Sequence, residues 1–120
     1  MRSYRQVCPV ARALDAVGDR WSLLIVRELM TSPRRYRDLL DGLPGVATNL
    51  LASRLRDLEA AGVVERPRAP LGAYRLSDRG AELAPVVAAL ARWGEPLVDG
   101  EPGDAVARAH WIALHARSRI

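Results

Sequence analysis

One stretch constrains this chain more than any other. Between Arg34 and Leu76 the residues RRYRDLLDGLPGVATNLLASRLRDLEAAGVVER are followed by a short Pro/Gly break and then AYRL. A short helix, a turn, a longer amphipathic helix and a two-stranded hairpin follow one another there with almost no linker. That order predicts a winged helix-turn-helix, whose second helix is shaped to enter the DNA major groove.

The punctuation of the chain sets the element boundaries. Val10 to Val17 reads as a first helix, with Pro9 in its first turn and Gly18 ending it. Arg20 to Met30 follows, with Asp19 as the expected cap; it is apolar nearly all round and is the expected central helix. Thr31-Ser32-Pro33 stops it, and Arg34 to Leu40 forms the next short unit. Leu43-Pro44-Gly45 is the turn, and the helix after it spans Thr48 to Ala61, closed by Gly62. Val63 to Arg66 and Ala73 to Leu76 alternate as the strands of a hairpin with an irregular tip. Ser77 or Asp78 caps a long helix running to about Trp93, with Leu83, Val86, Val87, Leu90 and Trp93 as its apolar stripe. Gly94 to Gly103 reads as a loop, and a last helix runs from Asp104 to about Arg117 with Val106, Trp111, Ile112 and Leu114. The expected fold class is therefore mainly α with a small β-hairpin wing, flanked by N- and C-terminal dimerisation helices. The expected division is 8–94 for the winged helix-turn-helix and 95–120 for a C-terminal helix serving as dimerisation element or connector.

The helix over 48–61 has two faces. At about 100° per residue, Leu51, Leu55 and Leu58 fall on one stripe. Asn49, Ser53 and Arg56 fall opposite, with Ala52 beside them. Asn pairs well with adenine and Arg with guanine in the major groove. Thr48 lies at the helix start, where backbone N–H groups meet phosphate. A surface helix of any function shows polar residues opposite its core; the adjoining turn and hairpin favour the DNA reading. Arg68 at the hairpin tip, with Arg66 and Arg75 on its strands, suits contact with phosphate or the minor groove.

Charge agrees in sign. The 120 residues carry a formal net charge of +4, and all 18 basic residues are arginine. The excess is +2 over residues 1–33 and +3 over 34–79, and it turns to −1 over 80–120. No apolar run approaches the roughly 18–20 residues that span a bilayer, and the N-terminus lacks the long apolar region of a signal peptide. A single cysteine excludes an intrachain disulfide and fits a reducing compartment, so a cytoplasmic location without membrane contact is expected. No nucleophile–base set, metal cluster or phosphate loop is evident, so neither enzymatic activity nor a cofactor is expected. His110 and His115, five apart, do not share a helix face, and no metal site is expected.

Three segments together resemble the HxlR-type winged-helix transcriptional regulators, relatives of the MarR type. They are CPVARALDAVGDRWSLLIVREL, RRYRDLLDGLPGVATNLLASRLRDLEAAGVVER and YRLSDRGAELAPVVAALARWG, covering about Cys8 to Gly94. The resemblance implies a homodimer, paired through the N-terminal segment and the helices after the wing, on a pseudo-palindromic double-stranded operator, more often as a repressor. The family often has Ser-Pro where this chain has Ala47-Thr48, which leaves Thr48 as the replacement cap, and the wing is a few residues short. Several members sense electrophiles or oxidants through a cysteine at the place of Cys8. Such a sensor requires an exposed, electrically stabilised thiolate; the alternative is a small, packed, unreactive cysteine. With no second cysteine in the chain, an interchain Cys8–Cys8 bridge or a mixed disulfide are the available oxidised forms. Val10, Leu14, Leu90, Trp93, Trp111 and Leu114 are the expected dimer contacts, or the lining of a pocket for a small apolar effector. In some longer relatives the region after 101 leads into a ligand-binding C-terminal domain. The alternative function is a winged-helix module for protein–protein association without DNA binding.

Overall fold

The computed structural model describes residues 3–98 and Trp111. The elements are α1 (Pro9–Val17), α2 (Ser22–Thr31), β1 (Arg34–Arg35), α3 (Tyr36–Gly42), α4 (Thr48–Ala60), β2 (Val64–Glu65), β3 (Ala73–Leu76), α5 (Asp78–Ala81) and α6 (Ala84–Gly94), followed by a 3-10 turn at Glu95–Leu97. The core collects Val17, Ile25, Val26, Leu29, Leu39, Leu43, Leu51, Leu55, Leu58, Val63, Val64 and Val87. α2 supplies three of these and stands at the centre, as its composition requires. It is not wholly apolar inside, since Ser22 and Glu28 are buried with it.

Several boundaries differ from the sequence expectation. α2 begins at Ser22 with no side-chain cap, and the Asp19 carboxylate pairs with Arg54 instead. The wing is a three-stranded antiparallel sheet, not a two-stranded hairpin. Its order is β1-β3-β2, with Arg34 opposite Tyr74 and Val64 opposite Leu76. β1 is two residues long, too short to show any alternation; only pairing across to β3 makes it a strand. The single long helix expected after the wing is two. Pro85 has no N–H to bond to the Ala81 carbonyl, so α5 ends at Ala81 and α6 starts with the proline in its first turn. The loop expected from Gly94 begins as the 3-10 turn.

Other signals are realised in detail. α4 closes with a Schellman pair: Gly62 N–H bonds to Glu59 O at 3.0 Å and Val63 N–H to Leu58 O at 2.9 Å. Gly62 takes φ +77°, a left-handed backbone that favours glycine. Ser77 caps α5, its hydroxyl oxygen accepting from Gly80 N–H at 2.9 Å. The last expected helix, with Val106, Ile112, Leu114, His110 and His115, lies outside the described residues apart from Trp111, which is helical.

Candidate nucleic-acid interface

α4 turns Leu51, Leu55 and Leu58 into the core, at 0%, 2% and 0% exposure. The opposite face is therefore left for solvent or a ligand. Thr48, Asn49 and Arg56 are exposed there, and Ala52 and Ser53 half-buried. Ala47 stands at the N-cap of α4 and offers no side-chain cap. Thr48 does not replace the cap: it is already the first helical residue, and its carbonyl accepts from the Tyr36 hydroxyl. That bond ties the start of α4 to the start of α3. The helix N-terminus keeps its backbone donors uncapped by side chains, as a phosphate contact requires.

A cleft of about 490 Å³ separates α4 from the wing, lined by Ala52, Leu55, Arg56, Glu59, Ala60, Arg66 and Tyr74. The structure thus brings Ala52, Arg56 and Arg66 together. Thr48 and Asn49 stand at the start of α4 and Ser53 on its second turn, outside that lining. Arg68 is exposed in the tip, and Arg75 is exposed on β3 opposite Glu65. Arg66 lies 3.8 Å from Glu59, a loose surface pair that contributes little to stability. At the tip, Leu71 is 90% exposed with φ +61°, and Gly72 N–H closes the turn onto Ala69 O at 3.0 Å.

Two contributors to this surface, and one residue that holds α4 in place behind it, were missed in the sequence. Tyr74 and Glu59 border the cleft; Glu59 had no signal beyond being one turn from Arg56. Arg54 was legible, because it lies about 60° from Leu51 on the wheel, away from the groove-facing row. It lies 2.8 Å from Asp57 and, through Nε, 2.9 Å from Asp19. The Asp19 contact is close without hydrogen-bond alignment, since the buried Arg54 Nε makes no directed bond, so we read it as a charge contact. Arg54 thereby fastens α4 to the α1–α2 corner and is not part of the solvent row.

A second polar centre lies under the helix-turn-helix. Arg27 Nε donates to Glu28 Oε2 at 2.9 Å, and its Nη2 donates to the Gly42 carbonyl at 3.2 Å. Burial pulls the Arg27 guanidinium below its usual range, and the charge and hydrogen bond of Glu28 offset part of this. The Trp111 indole N–H donates to the same Glu28 oxygen at 2.8 Å. Nothing in the sequence pattern predicted that contact.

Of the expected dimer contacts, Val10, Leu14, Leu90 and Trp93 are exposed at 67%, 44%, 48% and 76%. Trp111 is half-buried, and Leu114 lies outside the described residues. Cys8 is half-buried immediately before α1, its carbonyl accepting from Arg12 N–H at 2.9 Å.

A helix-turn-helix with a partly exposed second helix, a uniform hydrophobic underside and an arginine-bearing wing defines a winged-helix DNA-binding regulator. The chain matches the HxlR-like helix-turn-helix family over residues 16–101 and belongs to it. It is 38% identical over 99 residues to the HTH-type transcriptional regulator sll1512 of Synechocystis sp., covering 79% of this chain and 73% of that one. It is 33% identical over 105 residues to the HTH-type transcriptional regulator YodB of Bacillus subtilis, covering 83% and 92%. Among solved structures, the redox regulator HypR in its oxidized form superposes with a TM-score of 0.68 at 29% identity, over 74% of this chain and 96% of HypR. Quinone-bound YodB superposes at 0.66 and 31%, over 74% and 99%. Among the described residues, no helix is long and apolar enough to cross a membrane.

Proposed function

We propose that this regulator acts in the cytoplasm as a homodimeric repressor on a pseudo-palindromic operator, and that Cys8 carries its response to oxidants or electrophiles. The observation that carries the DNA contact is the row Asn49, Ser53 and Arg56 opposite the buried leucines of α4, with Arg66 across the cleft. Thr48 and Ala52 sit close to the sugar–phosphate edge, and Arg68 and Arg75 meet phosphates from the wing. Residues 8–94 form the DNA-binding unit, and 95–120 serve pairing or connection.

Pairing is supported by apolar side chains left in water on both flanks of the described fold, Val10 and Leu14 on α1 and Trp93 on α6. The redox role is supported by the place of Cys8 at a helix start, where it keeps part of its surface open, and by the relatives named for redox and quinone-bound states. Two Cys8 thiols, one per protomer, would lose two protons and two electrons to an oxidant in forming one bridge.

Operator selection from a random DNA library, followed by titration with and without mild oxidant, tests the reading. Selective binding that weakens on oxidation, in wild type and not in Cys8→Ser, is expected. Selection of no DNA at low salt overturns the operator. Protection of Cys8 from alkylation until unfolding overturns the sensor.

A further inference from the structure

A cleft of about 460 Å³ opens between α2 and α6, bordered by Leu23, Leu24, Val87, Leu90, Arg27 and Trp111. Its volume lies in the range of small-molecule sites, and its walls are mainly apolar. The polar groups are few and already committed. The Arg27 guanidinium stacks 4.0 Å from the centroid of the Trp111 ring. Glu28, 2% exposed, receives both Arg27 Nε and the Trp111 indole N–H. The positive charge of Arg27 is thus met inside the protein, and Glu95 adds an acidic group at the border. Among the described residues, the cation bordering the cleft is Arg27, whose charge Glu28 already answers, so an anion gains no free partner from it. An uncharged ring system finds leucines, a valine and an indole.

The same side chains reach the DNA-reading unit. Arg27 Nη2 bonds to the carbonyl of Gly42, the last residue of α3. Six residues later α4 begins. The Glu28 carboxylate fills the space beside Gly42 that a side chain would occupy.

We propose that this cleft is an effector site for a small uncharged aromatic molecule, and that the helix-turn-helix reads its occupancy through Arg27, Glu28 and Gly42. The readout on DNA rests on the operator reading above; binding of the molecule does not.

The test uses two probes of one ring system, 2-naphthol and 2-naphthoate, titrated calorimetrically into the full chain. Saturable binding of 2-naphthol is expected, tighter than naphthoate by about tenfold or more, since the carboxylate must lose its hydration without a partner. Ala91 also lines the cleft, so Ala91→Trp, which fills it, should abolish binding. Glu28→Gln, which leaves the charge of Arg27 unmet, should turn the preference toward naphthoate. Saturating 2-naphthol should change the affinity for selected operator DNA by about fivefold or more. Ala91→Trp should not respond.

Absence of saturable 2-naphthol binding overturns the proposal, as does equal affinity for the two probes. So does undiminished binding by Ala91→Trp or, where that variant does not fold, an unchanged probe preference in Glu28→Gln. Saturation that leaves operator affinity unchanged overturns the effector role. Conversion of Ala91→Trp from dimer to monomer assigns the cleft to contact between two copies and likewise overturns it. A wild-type chain that selects no DNA without probe refutes the operator reading instead, and the calorimetry still decides the cleft.

Discussion

Gly42 leaves a space that the Glu28 carboxylate fills: a Cβ on Gly42 would overlap Glu28 Oε1. Gly42 thus ends α3 against a buried charge held by Arg27. Gly42→Ala should cost about 1–3 kcal/mol, the range of overpacking in a filled interior. Glu28→Ala should cost about 3–5 kcal/mol, because it strands the Arg27 charge. The double variant should cost less than the two together, since Glu28→Ala removes the carboxylate that the new Cβ at position 42 collides with. Urea unfolding midpoints of the three chains decide it; strict additivity sinks the contact.

Arg54 and Arg56 lie two positions apart on α4 and should fail in different ways. Arg56→Ala should leave stability unchanged, weaken operator binding by about 1–3 kcal/mol and relax preference at one base position. Arg54→Ala, which releases Asp19 and Asp57, should lower thermal stability and weaken all DNA alike. Melting curves beside binding to operator and random DNA separate the two. An Arg56→Ala chain that discriminates like wild type places the groove-facing row wrongly.

Binding should fall steeply with salt, because Arg66, Arg68 and Arg75 stand exposed on the wing. A dimer with several phosphate contacts loses orders of magnitude of affinity between about 50 and 200 mM salt. Anisotropy titrations across that range check this, and a flat response removes phosphate contact from the account.

Trp93 at 76% exposure and Val10 at 67% should be covered by a second protomer. Trp93→Glu should then yield monomers and abolish operator binding while the monomer stays folded, since the substitution leaves the core intact. Sedimentation velocity with circular dichroism reads both. A wild-type chain that is monomeric at micromolar concentration defeats the pairing.

Ser77 pins three segments at once. Its hydroxyl donates to the Gly62 carbonyl at 2.6 Å, lies 3.1 Å from the Val63 carbonyl and accepts from Gly80 N–H. Ser77→Ala should cost about 1–2 kcal/mol, at the upper end for a helix cap. For a domain of this size that lowers the melting temperature by several degrees, about 4–8 °C per kcal/mol. A shift within error would reduce Ser77 to a solvated surface group.

The order of the helices through α4, the buried and open faces of α4, its closure at Gly62 and a cap at Ser77 or Asp78 were legible in the amino-acid sequence. Each depends on neighbours within a turn or two: a 3.6-residue period, a glycine with positive φ, a hydroxyl three residues ahead of an N–H. The break at Pro85 was equally local and was overlooked under a continuous apolar stripe. Tertiary structure alone decided the rest. Arg34 and Arg35 become a strand only because β3 lies beside them. Asp19 leaves its expected cap because Arg54 offers a full charge where the helix end offers a partial one. Glu28 is tolerated in the core because Arg27 and Trp111, 83 residues away along the chain, supply its partners. A buried charge is settled by whichever groups the fold brings within 3 Å of it, and no periodicity in the sequence encodes that meeting.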